Sequence, residues 1–202
     1  MRNRQHGCVS GGIQVDIVMV RHGMTECNIK GIYAGKTDFP LSSEGIGEIY
    51  ALKEKLKDED FDKVYVSPLK RALQTAQILG FKGEVDERIS EVDFGLFEGL
   101  TYKEIEKKYP KDCGKWKNDC IDFKFPEGES LSDVYKRTCE FIDDIPKAYK
   151  KVLVITHGGV IKCALCSIFD RIDYFFNFAS EYGKCTVINI EGGFKYIKSI
   201  NK

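Results

Sequence analysis

The feature that most limits the fold is a recurring join: a short apolar run, an abrupt polar turn, then an amphipathic stretch. Residues 15–20, 63–66 and 152–155 are the runs, and each has the length of one buried strand. Ile17-Val18-Met19-Val20 is apolar at every position, a pattern that suits a strand covered on both faces. The stretches between the runs read as helices. Leu41-Ser42-Ser43-Glu44 opens one with a serine cap, and its apolar positions are Ile46, Ile49, Leu52 and Leu56. Ser67 as N-cap and Pro68 as first helical residue open the next, with Leu69, Leu73, Ala76 and Leu79 on its inner face. Thr101 to Glu104 form a capping box for a helix that ends near Pro110. Ser130 to Asp133 cap another, whose apolar positions are Val134, Phe141, Ile142 and Ile145. Glu84-Val85-Asp86 reads as a brief strand, and residues 186–190 and 194–200 as a closing hairpin around Gly192-Gly193. Strands alternating with helices predict an α/β fold: a three-layer α/β/α sandwich, its sheet mostly parallel with a C-terminal antiparallel hairpin.

A chain of 202 residues suits one domain, assigned here to residues 15–202. Residues 1–14 are polar and glycine-rich without an apolar signal segment, and read as a loosely ordered leader. Residues 111–129 show no period and read as a surface excursion or lid carrying Trp116, Phe123 and Phe125. Lys+Arg and Asp+Glu both number 31, so no basic excess points to a nucleic-acid partner. No apolar run has the length of a membrane span. Eight cysteines in a domain of this size read as reduced thiols, which predicts a cytoplasmic protein. Cys163-Ala164-Leu165-Cys166 lies inside an apolar helical pattern and reads as core packing; a zinc site would want a second such pair.

Chemistry gathers where the apolar runs stop. The first gives Arg21-His22-Gly23-Met24-Thr25, the second leads through Ser67-Pro68-Leu69-Lys70 to Arg71, and the later one gives Thr156-His157-Gly158-Gly159. Two of the chain's three histidines occupy equivalent strand-end positions. Ligands of open α/β sheets bind beyond the carboxyl ends of the strands, where helix N-termini also aim N–H groups. Guanidinium groups supply fixed charge and planar donor forks, so these ends together predict a phosphate or sulfate site. The glycine-punctuated acidic loop containing Glu91 and Glu98 adds a carboxyl group able to protonate a leaving alkoxide.

These motifs, with Asn28 after the first, Ala72 and Thr75-Ala76 after the second, and Glu91 four residues before Gly95, resemble the histidine phosphatase superfamily, the phosphoglycerate mutase-like proteins, over residues 15–200. Met24 stands where many members carry Glu. The resemblance implies that His22 is a nucleophile forming a transient phosphohistidine. It implies that Arg21, Arg71 and His157 bind phosphoryl oxygens, with Asn28 and Gly158 as further contacts. Glu91 is then the general acid, and afterwards the base that activates water; Glu98 is the competing carboxylate. A protonated His157 and two arginines stabilise the transferring group's charge. No metal or other cofactor is expected, and the partner is a small phosphomonoester bound by a monomer or homodimer.

The short excursion at 111–129 favours a phosphatase over a cofactor-dependent mutase, which needs an enclosed site. Gly31-Ile32-Tyr33-Ala34-Gly35, Pro40 to Gly47 and Phe125 to Ser130 resemble the α-ribazole-5′-phosphate phosphatase branch, which acts in cobalamin synthesis. Broad-specificity sugar-phosphate phosphatases share much of this pattern. Trp116, Phe123 and Phe125 fit either a benzimidazole stack or a small core of their own. A non-catalytic phospholigand-binding domain is the alternative of another class; retention of both His22 and Glu91 counts against it.

Overall fold

The computed structural model describes residues 14–202. The expected leader and Cys8 therefore lie outside the described residues, save for Gln14, which already opens the first strand. In chain order the elements are β1 Gln14–Arg21, α1 Glu26–Ile29, α2 Ser43–Leu56, β2 Lys63–Val66, α3 Lys70–Leu79 and β3 Glu84–Val85. They continue with α4 Tyr102–Lys108, α5 Pro110–Asn118, α6 Leu131–Asp143, β4 Lys151–Thr156, α7 Gly158–Cys166, β5 Cys185–Glu191 and β6 Phe194–Ser199.

The six strands form one sheet in the order β3-β2-β4-β1-β5-β6. β3, β2, β4 and β1 run parallel, while β5 is antiparallel to β1 and to β6. Strand alternation divides the central residues between two cores. Val18, Val20, Leu153 and Ile155 pack with Ile49 and Leu52 of α2 and with Ala72 and Ala76 of α3. Ile17, Met19, Val152 and Val154 face the other way, onto Phe141 and Ile142 of α6 and Val160 and Ile161 of α7. The covering of both faces explains why β1 and β4 are apolar at successive positions.

Three local expectations are corrected. α3 does not begin at Ser67-Pro68; its N-cap is Leu69, which supplies no side-chain cap, and the Ser67 hydroxyl meets His157 Nε2 while accepting from the Leu69 N–H at 3.4 Å in the turn ahead of the helix. Residues 111–118, part of the stretch expected to lack period, are helical. Pro110 occupies the first turn of α5, but only Cys113 on this polar helix is fully buried, too little for a sequence period to register. Ile46 and Leu73, assigned to inner faces, are exposed at 39% and 40%, since each lies at the margin of its helix's apolar stripe. Cys163 and Cys166 are both buried within the second core.

Candidate active site

Strand order builds the site. β1 and β4 are neighbours in parallel register, with Arg21 opposite Thr156, so the residues that follow, His22 and His157, emerge side by side. The His22 N–H donates to the Thr156 carbonyl at 3.0 Å. The two imidazole rings lie 5.0 Å apart between centroids, and both residues are buried. β2 flanks β4 on its other side and brings Ser67 within 2.7 Å of His157 Nε2.

Each ring has one nitrogen engaged. His22 Nδ1 donates to the Gly23 carbonyl at 2.7 Å, which leaves the Nε2 lone pair for an electrophile. Burial, then the neighbouring Arg71 and Arg21 charges, hold the His22 pKa well below the usual imidazole value, against the opposing carbonyl bond. His157 is held down by burial, Arg71, His22, Arg21 and Arg137. These causes disfavour a charged ring while no anion is bound; the protonated His157 expected from the sequence belongs to the site with a phosphoryl group beside it. His157 Nδ1 is buried and has no hydrogen-bond partner among the described residues.

Arg21 is fixed by contacts that leave donors over. Its guanidinium carbon lies 3.5 Å from the centroid of the Tyr182 ring, and Nη1 donates to the Ser180 carbonyl. Arg21 Nε is buried without a partner among the described residues. Gly158 makes room for this: a Cβ there would sit 3.0 Å from the Arg21 guanidinium carbon. Arg71, also buried, donates from Nη2 to the carbonyls of Ala34 and Gly35 at 3.2 and 2.7 Å, and from Nη1 to Thr37 at 3.3 Å. Its remaining N–H groups are available to a ligand.

The two candidate carboxylates have different surroundings. Glu98 accepts backbone N–H bonds from Gly35, Lys36, Thr37 and Phe94 at 2.9–3.1 Å, so it fastens the 34–37 segment. The opposite side of that segment presents its carbonyls to Arg71. Glu91 lines a hollow of about 300 Å³ together with Arg21, Gly158 and Gly159. Its Oε1 accepts from Val92 N–H at 3.1 Å and its Oε2 from Gly159 N–H at 3.4 Å. A Cβ at position 159 would lie 2.3 Å from Glu91 Oε1, so only glycine admits the carboxylate there. Arg137 steadies the loop from behind, donating to the carbonyls of Arg88, Ser90 and Glu91.

Asn28 serves a cap: its Oδ1 accepts from Thr25 N–H at 3.0 Å and from the Thr25 hydroxyl, which leaves Nδ2 as the donor able to act elsewhere. Tyr33, Phe94, Trp116, Phe125, Phe175 and Phe176 form the apolar walls of the hollow, with Lys162 among them. Trp116 and Phe125 also pack on buried Phe97, so they are at once core and pocket wall. Sequence reasoning missed Tyr182, Arg137 and Lys162. Lys162 alone carried a signal, lying one helical turn beyond Gly158-Gly159.

A larger hollow, about 460 Å³ and lined by Asp16 and Lys198, holds none of the motif residues. Among the described residues no group of three His, Cys, Asp or Glu side chains is placed to hold a metal ion. No helix among them is long and apolar enough to cross a membrane.

A family model described as the histidine phosphatase superfamily (branch 1) matches residues 17–202. Phosphoserine phosphatase 1 of Hydrogenobacter thermophilus is 30% identical over 194 residues, covering 93% of this chain and 92% of that protein. 6-Phosphofructo-2-kinase/fructose-2,6-bisphosphatase 1 of Mus musculus is 34% identical over 157 residues, 77% of this chain but only 33% of that protein. Among solved structures, a candidate alpha-ribazole-5′-P phosphatase from Escherichia coli str. K-12 substr. MG1655 superposes with a TM-score of 0.89 at 25% identity, covering 93% of this chain and 96% of that one.

Proposed function

The chain belongs to the histidine phosphatase superfamily, and from that membership we propose that it hydrolyses a small phosphomonoester through a phosphohistidine. The observation that carries this reading is the pair of buried nitrogens without partners, Arg21 Nε and His157 Nδ1, in the same cluster as the accepting face of His22. Buried polar groups are normally satisfied, so such a pair is suited to an incoming oxyanion.

His22 Nε2 attacks phosphorus and the bond to the leaving oxygen breaks. That oxygen takes its proton from the Glu91 carboxyl group and departs as an alcohol. Glu91, now a carboxylate, accepts a proton from water; the hydroxide formed attacks the phosphohistidine, and phosphate leaves with His22 restored. Arg21, Arg71 and the N–H of Gly158 at the start of α7 bind the equatorial oxygens, where charge is greatest in transit. Asn28 Nδ2 is a further donor. The anion also raises the affinity of His157 for a proton, and a charged ring then completes the cradle.

Two substrate classes suit the hollow. Its aromatic walls suit a flat ring, as in α-ribazole 5′-phosphate, a reading supported by the fold of the Escherichia coli structure. Lys162 instead favours an acid-bearing ester, in keeping with the phosphoserine phosphatase of Hydrogenobacter thermophilus.

The test is hydrolysis of p-nitrophenyl phosphate in EDTA. Turnover is expected, with an acid-labile phosphoenzyme trapped on His22, and His22→Ala should release no phosphate. A wild-type protein that binds phosphate but turns nothing over would be the non-catalytic domain. Conversion of 3-phosphoglycerate to its 2-isomer in place of phosphate release would make it a mutase.

A further inference from the structure

One full turn of α7 separates Gly158 and Gly159 from Lys162, which places the three on one helix face. The two glycines lie against the Arg21 guanidinium and the Glu91 carboxylate. Lys162 is next along that face and lines the same hollow. Its side chain is half-buried, with Nζ 5.1 Å from the centroid of the Phe175 ring. Among the described residues it belongs to no ion pair. A lysine stem ordinarily carries its ammonium out to water. Here burial and the Arg21 charge push the ammonium's pKa down, only partly opposed by Glu91. Apart from Glu91, with which it forms no ion pair, no acidic side chain lines the hollow beside it, and most of the other walls are apolar.

Resting on the phosphatase reading above, we propose that Lys162 is a specificity-determining residue whose ammonium pairs with a second acidic group, carried on the alcohol part of the phosphomonoester. The phosphoryl group lies in the Arg21–His22 cradle, a flat apolar body fills the hollow against Tyr33, Phe94 and Trp116, and the acid meets Lys162. Carboxylate and phosphate both satisfy this chemistry. α-Ribazole 5′-phosphate carries no such second acid and ranks below an ester that does.

Benzyl phosphate and 4-carboxybenzyl phosphate share a leaving-group class and a shape and differ by one carboxylate. Wild-type protein should prefer the acid-bearing ester about tenfold in kcat/KM, chiefly through KM, as a charge-assisted contact implies. Lys162→Met should bring that ratio to about one, the acid-bearing ester losing more than the neutral one. Lys162→Arg should keep the preference, and Lys162→Glu should transfer it to 4-(aminomethyl)benzyl phosphate. Equal losses on both esters in Lys162→Met overturn the inference and assign Lys162 to the surroundings of Glu91. A wild-type protein that cleaves both esters equally overturns it too, with the phosphatase reading intact. Failure of the wild type to cleave either ester overturns both.

Discussion

Glu91 and Glu98 show how surroundings assign work to identical side chains. Glu98 is committed to backbone N–H groups of the 34–37 segment and of Phe94, and it does not line the hollow. Glu91 has fewer and longer contacts and opens on the hollow beside Arg21. Glu91→Gln should therefore slow benzyl phosphate by about 100-fold and p-nitrophenyl phosphate far less, because a good leaving group needs no acid. Paired kcat/KM measurements check this; equal losses on both would reduce Glu91 to a structural part. Arg21, His22 and His157 were legible in the sequence because they stand at the ends of apolar runs, and Arg71 because it falls in the helix that follows one. Tyr182, Arg137 and Lys162 were not, because tyrosine, arginine and lysine are common surface residues. Their meaning comes from contacts that close only in the fold, such as Arg137 to the Glu91 carbonyl and Arg21 over the Tyr182 ring.

Among the elements, the 34–37 segment is held from two sides, its N–H groups by Glu98 and its carbonyls by Arg71. Gly35 is the tight point, since a Cβ there would lie 1.7 Å from the Val92 carbonyl oxygen. The segment is thus a strap that aims Arg71. Glu98→Ala should cost about 1–3 kcal/mol in a denaturant titration and also weaken inhibition by inorganic phosphate. Glu98→Gln, which keeps an accepting oxygen, should recover part of both. Unchanged phosphate inhibition in Glu98→Ala would show that Arg71 is aimed by something else. Helix identities were legible wherever caps and apolar period agreed, as at Thr101 and Ser130. The start of α3 was misread because a serine before a proline makes a good cap, whereas here the hydroxyl closes a turn onto the Leu69 N–H and meets the buried imidazole.

For the whole molecule, the buried histidines couple the site to stability. Both have folded pKa values below the ordinary imidazole value, with burial the leading cause. Near pH 6.5 and below, the unfolded chain takes up protons that the folded chain refuses, so stability falls as pH drops from about 6.5 toward the depressed folded values. Urea midpoints should be lower at pH 5.5 than at pH 7.5, and His22→Gln with His157→Gln should flatten that dependence. A wild-type midpoint that does not move would mean the rings are not buried neutral. The layered architecture was readable from the rhythm of runs and helices, but the strand order was not, because period reveals that a strand is buried and not which strand lies next to it.

The order β2-β4-β1 has a consequence for how the protein comes into being. Neighbours in the middle of the sheet are strangers along the chain, so a growing polypeptide holds its first imidazole long before the second has been synthesised. Parallel pairing closes large loops and is slow. Catalytic competence should thus arrive abruptly, once β4 has slotted between its partners, and no fragment ending ahead of α7 should show a diluted version of it.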